Sequence, residues 1–137
     1  MSIEQNKAVV RRFLDGMNNM DSLPADELSA RLDELLAPDY VNHKMPGGRE
    51  AFKQFIPMLF SAAPDLKVHA DVDHMVAEGD YVMARIKMHY TNAGKEASGS
   101  GVTEFRLVNG KIVEDWPPSE DMALMQQVGV SLPGVPA

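Results

Sequence analysis

No cysteine occurs in the 137 residues, which excludes a disulfide framework, a thiolate nucleophile and a cysteine-based zinc site. Positive charge is scarce: 13 lysines and arginines face 20 acidic residues, leaving a net charge of −7 and a pI near 5.0. Nucleic-acid phosphates would repel such a chain, so no nucleic-acid partner is expected. No apolar run approaches the roughly 18 residues of a membrane span. Met1-Ser2-Ile3-Glu4-Gln5 lacks the basic start and apolar middle of a secretory signal. Internal repeats and interdomain linkers are missing as well. The expectation is a cytoplasmic protein of one domain, with no membrane partner.

What is present is an ordinary globular composition, 45% hydrophobic and 24% charged. A chain of this length buries roughly 68% of its unfolded surface, enough for a core without metal or disulfide support. That core is expected over about residues 5–130, with 131–137 an irregular tail. Ser2 and Gln5 read as a capping box for a first helix over residues 2–20, striped by Ile3, Val10, Phe13, Leu14 and Met17. Leu28, Leu32, Leu35 and Leu36 stripe a second helix between Pro24 and Pro38. Tyr40-Val41 is a short extended piece, and Pro46-Gly47-Gly48 a turn into a third helix that Pro57 should kink. From Leu66 the apolar period changes from 3.6 to 2. Alternating runs over residues 66–73 and 82–89 read as strands, and 92–101 as a polar loop. Asn109-Gly110 between two further alternating runs signals a hairpin, and a short helix closes the chain over residues 120–127. Helices first and strands after predict an α+β architecture, with helices on one face of a curved antiparallel sheet. The open end of such a cone forms a pocket.

Several strings then carry a resemblance. They are Ala63-Pro64-Asp65-Leu66, Glu78-Gly79-Asp80, Asn109-Gly110-Lys111-Ile112-Val113-Glu114-Asp115-Trp116 and Gln127-Val128-Gly129. Tyr40-Val41-Asn42-His43 and Gly48-Arg49-Glu50-Ala51-Phe52 fit upstream. In order and spacing the chain resembles the SnoaL-like polyketide cyclases from about residue 5 to residue 130. The resemblance implies the nuclear transport factor 2-like cone, often dimeric. It also implies aldol ring closure without metal or organic cofactor, an aspartate removing the proton beside a carbonyl. In the family that aspartate lies seven residues past the hairpin glycine, and here the position is Pro117. The histidine of a Gly-Thr-His-x-Gly stretch becomes Asn92, and a further pocket histidine aligns with Thr103.

Asp115 is the candidate base. It lies two residues before Pro117, so strand alternation places it on the same face, where an apolar cone would raise its pKa. His43 is the second candidate acid or base, set against a structural role holding the Pro46-Gly47-Gly48 loop. Asn92 and Thr103 are candidate donors to an enolate oxygen. Tyr40 and Trp116 are candidate substrate contacts, Trp116 chiefly as a packing anchor. His69, Asp71 and Asp73 alternate on one strand but read as the outer face of a half-buried strand, so no metal is expected. Asp121 follows Ser119 at the start of the last helix, where acids suit the dipole, although it lies within reach of the pocket mouth. Three functions stand open: a cofactor-free cyclase or isomerase of a small hydrophobic carbonyl compound, a binding protein that keeps only the fold, and an assembly role through a homodimer.

Overall fold

The capping box forms at the N-terminus: the Ser2 hydroxyl accepts from the Gln5 backbone, and the Gln5 side chain accepts from the Ser2 backbone. It starts α1 (Ile3–Gly16) in the computed structural model, which describes residues 2–130. The tail over 131–137 lies outside the described residues. α1 is shorter than its apolar stripe implies, because the chain tightens into a 3-10 stretch over Met17–Ser22. α2 (Ala25–Leu35) ends before Leu36, which opens strand β1 (Leu36–Asn42), so Pro38 sits within a strand. α3 (Gly48–Ala62) runs through Pro57 without a break. Pro57 is exposed there, so water reaches the carbonyl its ring leaves unbonded.

β2 (Lys67–Glu78), β3 (Tyr81–Asn92), β4 (Lys95–Val108) and β5 (Lys111–Trp116) follow, and α4 (Asp121–Gln127) completes the fold. The sheet order is β1-β5-β4-β3-β2. Strands β2 to β5 pair antiparallel, whereas β1 adds to β5 in parallel, so the sheet is mixed. The polar segment expected as a loop over 92–101 is largely strand: β3 and β4 pair from Tyr81↔Arg106 to Asn92↔Lys95. The tight turn between them is Ala93-Gly94, both at positive φ (50° and 84°), and alanine carries no signal for that conformation.

Alternation sorts the sheet into two faces. Val82, Ala84, Ile86, Met88 and Tyr90 of β3, with Thr103, Phe105 and Leu107 of β4, are buried beneath the helices. Tyr81, Met83, Arg85, Lys87 and His89 point outward. His69 and Asp71 are exposed on β2, bonded to each other at 3.0 Å, as the outer-face reading requires. Phe13 of α1 bridges the layers, edge-on to Phe105 at 5.7 Å and tilted against Phe52 at 6.2 Å.

Candidate active site

One extra residue in β5 aims the site. Leu107 pairs with Ile112 and Arg106 with Glu114, so Val113 is a bulge with no partner on β4. The bulge reverses the parity of the strand. Ile112 points inward, and beyond the bulge so does Asp115, opposite the inward Phe105. Without it, Glu114 would face the core.

Asp115 is 4% exposed, and its surroundings are mostly hydrocarbon. Its Oδ2 accepts a 3.0 Å hydrogen bond from the Tyr40 hydroxyl, which itself accepts from Asn42 Nδ2 at 3.1 Å. The parallel register that places Asn42 beside Asp115 builds this chain. Asn42 is held in turn by its Oδ1, which accepts from the backbone N–H groups of Lys44 at 2.8 Å and Met45 at 3.1 Å. Asp115 Oδ1 is buried with no partner among the described residues. Burial pushes the Asp115 carboxyl up to about 7, and the nearby Asp121 charge adds to the rise. The Tyr40 bond, the Thr103 hydroxyl and the proximity of His43 act in the opposite sense without cancelling it. Burial and the Asp115 charge push the Tyr40 phenol far above its ordinary range, so it stays a donor.

Asp115 lines the inner of two adjoining chambers. The inner holds about 90 Å³, between Phe13, Met17, Phe52, Ile86 and Phe105, with Thr103, Pro117 and Asp121 completing its wall. The outer, about 150 Å³, is walled largely by methionines and phenylalanines. Met17, Met20, Phe52 and Asp121 line both, so Asp121 stands where they meet. Its Oδ1 accepts from the Tyr90 hydroxyl at 3.1 Å. Burial raises the Asp121 carboxyl, against the pull of Lys44 and the Tyr90 bond, while Glu120 adds to the rise. Lys44 Nζ donates to the Pro118 carbonyl and lines the outer chamber. A larger groove of about 410 Å³ opens between α1 and α2, but its ionic groups are exposed, among them the Arg12–Glu34 pair at 3.0 Å. It offers no buried acid or base.

The structure brings together Asp115, Tyr40 and Thr103 and leaves the other candidates elsewhere. His43 follows Asn42 on β1 and so turns to the opposite face. There its Nε2 lies 2.8 Å from Glu114, and its ring stacks on Trp116 at 4.6 Å. That Glu114 is held below the ordinary carboxylate range, by the His43 bond first and Arg106 second. Trp116 is outside with His43, by the same alternation that sends Asp115 inside. Asn92 donates through Nδ2 to the Val128 carbonyl at 3.0 Å, tying the end of β3 to the end of α4. His43, Trp116 and Asn92 are thus not cavity residues. Thr103 lines the inner chamber, but its hydroxyl donates to the Trp116 carbonyl at 3.3 Å. Pro117 does face the chamber where the family's aspartate is expected. Sequence reading missed Asn42 and Tyr90. Two-residue spacing from Tyr40 could have found Asn42, whereas nothing local marks Tyr90 as the partner of Asp121.

Helices packed over one face of a five-stranded mixed sheet give the α+β nuclear transport factor 2-like fold. The model of the SnoaL-like polyketide cyclase family matches residues 7–128, and the chain belongs to that family. Among solved structures it is similar to TsrD from Streptomyces laurentii, at 22% identity, TM-score 0.70, covering 94% of this chain and 98% of the other. It is also similar to IdmH from Streptomyces antibioticus, at 24% identity, TM-score 0.70, covering 92% and 99%. A third likeness is to an LEH-like epoxide hydrolase of M. tuberculosis, at 16% identity, TM-score 0.66, covering 91% and 92%. No curated protein matches the sequence.

Proposed function

We propose that the protein is a cofactor-free enzyme that removes the proton beside the carbonyl of a small hydrophobic compound, for intramolecular aldol closure or isomerisation. The observation that carries this reading is the unpartnered Oδ1 of a buried Asp115 whose carboxyl titrates at about 7. A base with that pKa is ionised in about half of the molecules at neutral pH, and it is a stronger base than an ordinary carboxylate. Tyr40, held by Asn42, fixes the other oxygen and so aims the free one. The methionine-rich outer chamber suits the apolar body of the substrate, since thioethers adapt to irregular shapes. Neither metal nor organic cofactor is needed for this step.

The test is hydrogen–deuterium exchange at the benzylic carbon next to the carbonyl of a benzo-fused cyclic ketone, 2-tetralone, watched by NMR in heavy water. Wild type should accelerate exchange and Asp115→Asn should lose it. Pro117 favours a second reading, because the position the family gives its base faces the chamber without a titratable group. A pure binding protein would broaden the ligand lines without any exchange.

We further propose a cytoplasmic homodimer, joined through the outer face of the sheet. Val76, Tyr81, Met83 and Val102 are exposed there among charges of both signs.

A further inference from the structure

We infer that the groove between α1 and α2 is a third subsite of the pocket, taking an alkyl chain carried by the substrate, with the Met20 side chain as the partition that admits it. The inference rests on the reading of the two chambers as a substrate pocket and extends it to longer substrates. Continuity of the cavities carries it. Phe13 lines both the groove and the inner chamber, and Met20 lines the groove and both chambers, so these two side chains form the shared wall. The groove, at about 410 Å³, is the largest of the three. Its Arg12 and Arg31 are matched by Glu34 at 3.0 Å and Glu27 at 3.5 Å, while Leu28, Leu32 and Leu35 form a buried apolar floor. A groove whose cations already hold their acids suits hydrocarbon rather than an anion.

Of the two wall residues, Met20 is the one that can yield. Phe13 is buried, and its ring is held edge-on to Phe105 at 5.7 Å and tilted against Phe52 at 6.2 Å. Displacing it would break both ring contacts. Met20 is only half-buried, and its three side-chain rotors and soft thioether let it turn aside at small cost. The backbone beneath it is pinned. Asn18, two residues before, clasps both backbone groups of Ala70 on β2, and the Ser22 hydroxyl donates to the Asn19 carbonyl. The gate is therefore one side chain, not a moving segment. With Met20 turned aside, a ring in the inner chamber beside Asp115 can carry a chain past it, over Leu23 and along α2.

The test uses 2-tetralone carrying, on its benzene ring, an alkyl chain of about eight carbons ended by a diazirine, irradiated with the protein and mapped by mass spectrometry. The carbene formed on loss of nitrogen should insert into α2, whose Leu28, Arg31, Leu32 and Leu35 line the groove and neither chamber. Excess plain 2-tetralone should displace the label, because ring and chain occupy one continuous site. The chain should tighten binding about tenfold or more over plain 2-tetralone, as burial of even two CH₂ groups implies. Met20→Trp, which fills the passage, should send the label to α3 and α4 around the outer chamber, with Met20→Phe as a milder plug, whereas Met20→Ala should keep it on α2. Circular dichroism checks that each variant is folded. Wild-type label on α3 or α4, label on α2 that 2-tetralone leaves in place, or label on α2 undiminished in a folded Met20→Trp or Met20→Phe protein would overturn the inference. Because labelling needs no chemistry at Asp115, failure of the exchange test would leave this result separately legible.

Discussion

Asp115 places a load on the native state that an asparagine would not. Its folded pKa, about 7, lies above the ordinary 3.8, so the native protein holds that proton more tightly than the unfolded chain does. The free energy of unfolding therefore falls as pH rises from about 4 to about 7 and is level above that, by on the order of 4 kcal/mol. Asp121 acts in the same direction. Asp33 and Glu114, whose pKa values are lowered, lose their contribution only as pH falls below the ordinary carboxylate range, outside this window. Urea unfolding at about pH 5 and about pH 8 should show wild type losing stability and Asp115→Asn losing much less. Equal losses in the two proteins would place the titration elsewhere. At this scale the sequence was informative where parity sufficed: Asp115 and Pro117 share a face because the bulge lies upstream of both. His43 shows the limit. It reads as a candidate acid or base, whereas its position one residue beyond Asn42 turns it to the outer face, against Glu114 and Trp116.

Among the elements, β4 and the segment leading into α4 approach unusually closely. A Cβ on Gly101 would lie 2.8 Å from Pro118 Cβ and 2.8 Å from Glu120 Oε2. Gly101→Ala should cost about 1–3 kcal/mol by displacing that segment, read as a drop in Tm. It should also weaken the seat of Asp121, whereas an unchanged Tm would mean that the segment yields freely. At the other edge of the sheet, Asn18 closes off β2. Its Oδ1 accepts from the Ala70 N–H at 2.7 Å, and its Nδ2 donates to the Ala70 carbonyl at 3.1 Å. Asn18→Ala leaves both backbone groups unpaired on an edge strand and should cost about 1–3 kcal/mol by denaturant melting. Element types were mostly readable from period and caps. The β3–β4 extension was not, since Ala93 gives no hint of its left-handed backbone. The parallel pairing of β1 escaped too, because it joins segments far apart in the chain.

At the scale of the whole molecule, helices on one face and an exposed outer face divide the work between a pocket and a surface. Met83 lies on that outer face, opposite Val76 and Glu104 in the ladder and away from the cavity. Sedimentation of wild type at micromolar concentration should give a dimer and Met83→Lys a monomer, with 2-tetralone exchange unchanged. A monomeric wild type would remove the dimer from the account. The central claim is a base at Asp115, and the most direct measurement is the pH-dependence of 2-tetralone exchange in heavy water. Wild-type acceleration should rise through about pH 7 as Asp115 ionises, and vanish at every pH in Asp115→Asn. Exchange that survives in Asp115→Asn with the same pH profile would contradict the account.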